Sequence, residues 1–237
     1  LAVIGARLKV GKSWTLASAF HAARCAGFTP ILYTLELPTK NFRNRVDATI
    51  SGLAHTKIER HILDRPELDI FRSSRERFAA MGPAYIEQPK RGDRTVPALI
   101  ARAREVGADV ILIDQLSYME ATGIYKDKHR EVEEIVFSLK SEISEYEDRM
   151  MACILAAQIN REGAKAGKPQ SEHVALSDAV GQVADILYSL RRDEEHVNNA
   201  SAVLEIMDTR RGSAKAWLLE WSLKNSTTFG VRGEWND

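Results

Sequence analysis

Six short apolar runs rich in strand-forming residues recur along the chain: Ala2–Ile4, Ile31–Leu35, Ala84–Ile86, Val110–Ile113, Ala152–Ala156 and Ile186–Leu190. Longer stretches with helical periodicity separate them. This alternation constrains the fold more than any other feature. Runs without a polar face must be covered on both sides, and strands joined through helices pair as a mostly parallel sheet. The clearest helix is expected over 129–148, where Val132, Ile135, Val136, Leu139, Ile143 and Tyr146 share one face. That pattern is too short to favour a coiled coil. Further on, Ala202–Asp208 and Ala214–Trp221 flank Arg211-Gly212-Ser213, which suggests an antiparallel hairpin closing the sheet edge. The fold class is therefore α/β.

The 237 residues suffice for one large buried core. Thirty-three basic residues balance thirty-three acidic ones, so any nucleic-acid or membrane partner must be met by a local patch rather than by bulk charge. No apolar run reaches the ~18 residues of a membrane span, and no signal peptide is visible. Cys25 and Cys153 both lie in apolar runs and read as small core residues rather than a disulfide or metal pair, in keeping with a reducing, cytosolic setting. Leu1 has no methionine before it and already sits in a strand-like run, so the chain reads as a fragment.

The first run leads into "IGARLKVGKSW", residues 4–14. A phosphate-binding loop needs inward-facing backbone N–H groups, a helix N-terminus behind them, a lysine for phosphate oxygens and a hydroxyl for Mg2+. Gly11, Lys12 and Ser13 meet those needs between a strand and a helix running toward Ala26. Ala6 stands where such loops commonly begin with glycine, and it is the smallest substitute. Asp114 ends the Val110–Ile113 run and is the expected metal partner. Glu36 ends the Ile31–Leu35 run and is placed to act on an attacking water. Gln158 ends the Ala152–Ala157 run and is placed to sense the γ-phosphate. Each has an alternative reading as a surface or strand-end residue, but all four converge on one edge of a parallel sheet.

Residues 120–128, "EATGIYKDK", and 161–177, "REGAKAGKPQSEHVALS", follow strand C-terminal ends, where open α/β sheets put their ligands. Each reads as a working loop or as a solvated connector.

These motifs resemble the helicase domain of the DnaB family of replicative helicases, within the RecA-like ATPases, from Leu1 to about Trp221. "IGARLKVGKSW" is similar to that family's phosphate loop, in which alanine is usual at the leading position, although the usual proline is absent from 7–10. "YTLELPTKNFRNRVDATISGL" resembles the family's Ser-Leu-Glu-Met motif and the arginine-bearing helix after it, which implies that Glu36 is the catalytic carboxylate. "VILIDQLSYM" resembles its Walker B strand, and "ILAAQINRE" resembles its Ser-Gln-Leu-Asn-Arg segment, with Gln158 as sensor. "LSDAVGQVADILYSLRRDEE" follows the segment that lines the family's central channel. The family's late hairpin carries Lys-x-Arg. Here "MDTRRGS" has Asp208 at the lysine position and Arg210 at the arginine.

The resemblance implies one RecA-like ATPase domain over 1–237, with the family's N-terminal domain and linker absent. It implies ATP and Mg2+ as cofactors, with Ala6, Arg7, Val10, Gly11, Lys12, Ser13, Trp14 and Asp114 around the nucleotide and with Ser13 and Asp114 at the metal. Lys12, Glu36, Gln158 and Arg210 would carry catalysis, Arg210 acting on a neighbouring subunit. Arg161, Lys165 and Lys168 would contact single-stranded DNA, with Tyr118 and Tyr125 as nearby stacking candidates. The implied partners are single-stranded DNA, further copies of the chain in a six-membered ring, and a primase or helicase loader. The implied location is cytoplasmic, in a bacterium or a phage-infected host. Two alternatives stay open: a recombinase or clock-type ATPase of the same fold, and a helicase relative that binds ATP but hydrolyses it poorly.

Overall fold

A computed structural model of the chain describes residues 1–144, 151–159, 179–222 and 227–235, with the backbone alone at 227–229. In chain order the elements are β1 (Ala2–Ala6), α1 (Lys12–Cys25), β2 (Pro30–Thr34), α2 (Thr39–Ser51), α3 (His55–Glu59), α4 (Arg65–Ala80) and β3 (Tyr85–Glu87). They continue with α5 (Val96–Glu105), β4 (Val110–Asp114), α6 (Lys128–Ser144), β5 (Ala152–Gln158), α7 (Ala179–Val183), β6 (Ile186–Arg191), α8 (Glu194–Asn198), β7 (Ser201–Thr209), β8 (Ala216–Ser222) and β9 (Thr227–Glu234). The strands form one sheet in the order β3-β2-β4-β5-β1-β6-β7-β8-β9. β3 through β6 in that order run parallel, and β7, β8 and β9 are antiparallel.

All six expected apolar runs are strands, and alternation within them explains why none shows a polar face. Ile111 and Ile113 of β4 pack with Leu99, Ile100, Ile135 and Leu139 of α5 and α6. Val110 and Leu112 of the same strand face Leu16, Phe20, Phe42 and Val46 of α1 and α2. Successive side chains leave opposite faces of a strand, so a strand covered by helices on both sides must be apolar throughout. In α6, Val132, Ile135, Val136, Leu139 and Ile143 are all buried, as the helical spacing requires; Tyr146 lies outside the described residues.

Two expectations need correction. The hairpin of β7 and β8 does form, but it does not close the sheet, because β9 pairs antiparallel with β8 beyond it. Cys25 is exposed at the C-terminus of α1, whereas Cys153 is buried in β5. The α1 face that points at the sheet carries Leu16, Ala17 and Phe20, and Cys25 falls in the last turn beyond it. α4 was not singled out from the sequence, although its start is well marked: Asp64 and Glu67 form a reciprocal capping box that spans a proline in the first turn. No helix among the described residues is long and apolar enough to cross a membrane.

Candidate nucleotide site

Because β1, β2, β4 and β5 are parallel, their C-terminal ends open on the same edge of the sheet. The loop after β1 bends through positive φ at Lys9 (65°) and Gly11 (125°), while Ala6 is not among the left-handed residues. Alanine at position 6 therefore costs the loop no backbone conformation it needs. Gly11 is required twice over. Its φ suits glycine, and a Cβ there would lie 2.3 Å from Cζ2 of Trp221 on β8. The backbone requirement is legible in the sequence; the approach of a tryptophan from a distant strand is not.

Lys12 opens α1 and is only 8 % exposed. Its Nζ donates to the Ala6 carbonyl at 3.2 Å and more weakly to that of Arg7 at 3.5 Å. Burial lowers its pKa, opposed by the nearby charges of Asp114 and Glu36. The next residue, Ser13, donates its hydroxyl to Asp114 Oδ2 at 2.7 Å. Asp114 is 1 % exposed, and its Oδ1 is buried without a hydrogen-bond partner. Desolvation raises its pKa, with Glu36 adding to the shift and Ser13, Lys12 and Arg45 opposing it. A buried carboxylate with an unsatisfied oxygen, bonded to a serine at a phosphate loop, fits a hard divalent cation that takes oxygen ligands. Among the described residues no three His, Cys, Asp or Glu side chains converge.

Glu36 lies just past β2. The backbone N–H groups of Leu35 and Glu36 donate to the Asp114 carbonyl at 2.7 and 3.3 Å, and the Glu36 carboxylate accepts a hydrogen bond from Gln115 Nε2 at 3.1 Å. Gln158 is paired in register with Ala6, and the following Ile159 N–H donates to the Ala6 carbonyl at 3.0 Å. Leu8, Lys9, Val10 and Gly11 of the loop, with Lys12, Ser13, Trp14, Glu36 and Asp114, line one cavity of about 380 Å³. Ala6 and Arg7, expected beside the nucleotide, and Gln158, on β5 beside β1, lie outside its wall.

The cavity also takes in Arg45, Gln115, Arg192 and Trp221, which sequence reasoning did not single out. Arg45 lies on α2 with its guanidinium 5.9 Å from the Trp14 ring centroid. Burial lowers its pKa, against the pull of Asp114, Glu59 and Glu36. The quoted α2 segment did carry an arginine as a signal. Arg192 sits 5.5 Å over the Trp221 ring and donates to the Ser201 carbonyl at 3.0 Å. Nothing local in the sequence marks that pair, because it joins the end of β6 to β8.

Arg210 is placed elsewhere. Thr209, just before it, pairs with Ile186 at the start of β6, while Ala6 pairs with Leu190 near its end. At ~3.3 Å per residue these positions lie about 13 Å apart along the strand. The Arg210 guanidinium donates to the Gln182 carbonyl of α7 at 2.8 Å. It is at the opposite edge of the sheet from this chain's own phosphate loop. In the loop after β4, Tyr118 and Tyr125 are 41 % and 39 % exposed and Ile124 is fully exposed. Arg161, Lys165 and Lys168 lie outside the described residues.

Comparison with known proteins bears on the family and the fold. The chain is 28% identical to the replicative DNA helicase DnaB of Pasteurella multocida (strain Pm70) over 209 residues, 84% of this chain and 44% of that protein. It is 26% identical to the corresponding protein of Haemophilus influenzae over 209 residues, with the same coverage. The chain thus spans less than half the length of these relatives. A solved ATPase domain superposes with a TM-score of 0.86 at 17% identity, over 98% of this chain and 84% of the other. A DnaB-like replicative helicase solved for its interactions with primase gives the same score and identity over 97% and 57%. At that identity the solved structures establish the fold, which is RecA-like. Residues 1–230 match the model of the DnaB-like helicase C terminal domain, and the chain belongs to that family.

Proposed function

We propose that the chain is the ATP-hydrolysing motor of a replicative DNA helicase. The observation that carries this is the 2.7 Å bond between Ser13 and Asp114, which joins the phosphate loop to the Walker B strand under a cavity lined by Lys12 and Glu36. Lys12 and the loop amides hold the β- and γ-phosphates of ATP. Ser13 and Asp114 would hold Mg2+, which would neutralise charge on the phosphate oxygens. Glu36 orients water and takes its proton as the γ-phosphoryl group passes to the water oxygen, leaving ADP and inorganic phosphate. Gln158, adjoining Ala6 in the sheet, reports nucleotide state toward 161–177, where Arg161, Lys165 and Lys168 contact single-stranded DNA through its backbone.

Arg210 acts in trans. It faces away from its own loop, so a second copy must bring it to a phosphate, as a ring of six subunits does. A primase or loader and a cytoplasmic location follow from the same reading. Asp208, at the family's lysine position, supports the second reading of a weakly hydrolysing ATP-binding relative.

The test is ATP turnover with and without single-stranded DNA, with Lys12→Ala as the blank. DNA-stimulated hydrolysis that the substitution abolishes supports a motor. Silence in the complete gene product, with ATP still bound, supports the weakly hydrolysing relative instead.

A further inference from the structure

We infer that Gln115 is a positioning residue for hydrolysis: it holds the Glu36 carboxylate in the orientation in which that group can receive the proton of the attacking water. The inference rests on the reading of Glu36 as the base. Glu36 is exposed, on the turn between β2 and α2. Its backbone is pinned by the Asp114 carbonyl, but pinning the Cα leaves three side-chain torsions free. A general base is effective only when held within hydrogen-bond reach of the proton it takes. The Gln115 Nε2 donor at 3.1 Å supplies that restraint.

Gln115 is well built for the task. It directly follows Asp114 at the end of the fully buried β4 and is itself 3 % exposed. Its carbonyl accepts from the Tyr118 N–H at 3.0 Å, which fixes the turn after the strand. Its side-chain Oε1, however, is buried with no partner. A buried carboxamide that satisfies only its donor half is a burden to the fold, and an apolar side chain of similar shape would remove it. The donor half is spent on Glu36, at the wall of the nucleotide cavity. A carboxamide is also neutral, so it orients the carboxylate without competing for the proton or adding charge beside Asp114.

The experiment compares Gln115→Leu and Gln115→Glu with wild type in the complete gene product assembled on single-stranded DNA. Leucine keeps the volume and removes the donor. Glutamate keeps the shape and sets a second carboxylate against Glu36. Gln115→Leu should retain affinity for a fluorescent ATP analogue and the KM for ATP, while kcat falls by about 10- to 100-fold. Gln115→Glu, which adds charge beside Asp114, should lower kcat at least as far. Added to Glu36→Gln, Gln115→Leu should slow single-turnover hydrolysis no further, since the group it acts through is already gone. A Gln115→Leu protein with wild-type kcat, or with a loss confined to KM, overturns the inference and leaves the ATPase reading intact. If leucine disturbs folding by near-ultraviolet circular dichroism, Gln115→Met, which also lacks the donor, decides on the same criteria. A wild-type protein that binds ATP and never turns it over overturns both.

Discussion

The two ends of the β1–β6 strand pair carry opposite kinds of site. At the C-terminal end the groups are assembled within one chain. Lys12 reaches the Ala6 carbonyl, Ser13 reaches Asp114, and Gln115 reaches Glu36. At the other end Arg210 is held against Gln182 of α7 and faces no nucleotide of its own. The first end brings Lys12, Arg45 and Arg192 together with Glu36 and Asp114 around one cavity. The second holds an exposed guanidinium on a backbone carbonyl. On the reading proposed above, such a chain would bind nucleotide alone and reach full rate only when copies meet.

The largest expected effect tests that division. Arg210→Ala should lower turnover by about 10³- to 10⁵-fold in the assembled protein, the range for arginine fingers, and leave nucleotide affinity of the isolated chain unchanged. Equal losses in both forms would break the comparison. Next, Lys12→Ala should cost about 10²- to 10³-fold in kcat, as for loss of one preorganised electrostatic contact. It should weaken nucleotide binding in the isolated chain as well, which isothermal titration would show.

Smaller effects concern stability. Gly11→Ala places a Cβ 2.3 Å from Trp221 at a φ of 125°, so it should destabilise the fold by about 1–3 kcal/mol. That is about 2–4 °C in melting temperature per kcal/mol. Trp221→Phe should relieve part of the loss if the ring contact is its cause. The smallest change in stability is expected from Asp114→Asn. Desolvation raises the Asp114 pKa in the fold, so the folded state holds the proton more tightly than the unfolded one. The resulting stability is present below the ordinary carboxylate range and lost as pH rises through the folded pKa. At neutral pH the charge therefore opposes folding. Asparagine, which can still accept from Ser13, should raise the melting temperature slightly while abolishing turnover. The gain should vanish in acid.

Much of this was legible in the sequence. The strands were marked because burial on both faces demands unbroken apolar runs, and α6 because one face packs at helical spacing. The phosphate loop, Asp114 and Glu36 were marked because each ends or follows a strand. Cys25 misled because an apolar neighbourhood in sequence does not specify which side of a helix end meets the core. β9 was missed because its run, "TTFGVRGE", is interrupted by glycines and charge, as an exposed edge strand tolerates. Arg192 and Trp221 were missed because their contact with the loop depends on how β6 and β8 lie across the sheet.

The sequence by itself determined the α/β alternation, the family and the phosphate-loop chemistry, since these depend on local patterns: periodicity, strand ends and a Gly-Lys-Ser turn. Only the tertiary structure decided that Gln115 bonds to Glu36, that Trp221 closes on Gly11 and that Arg210 lies at the far edge. Those relations join residues far apart in the chain, and strand order and register alone bring such residues together or keep them apart.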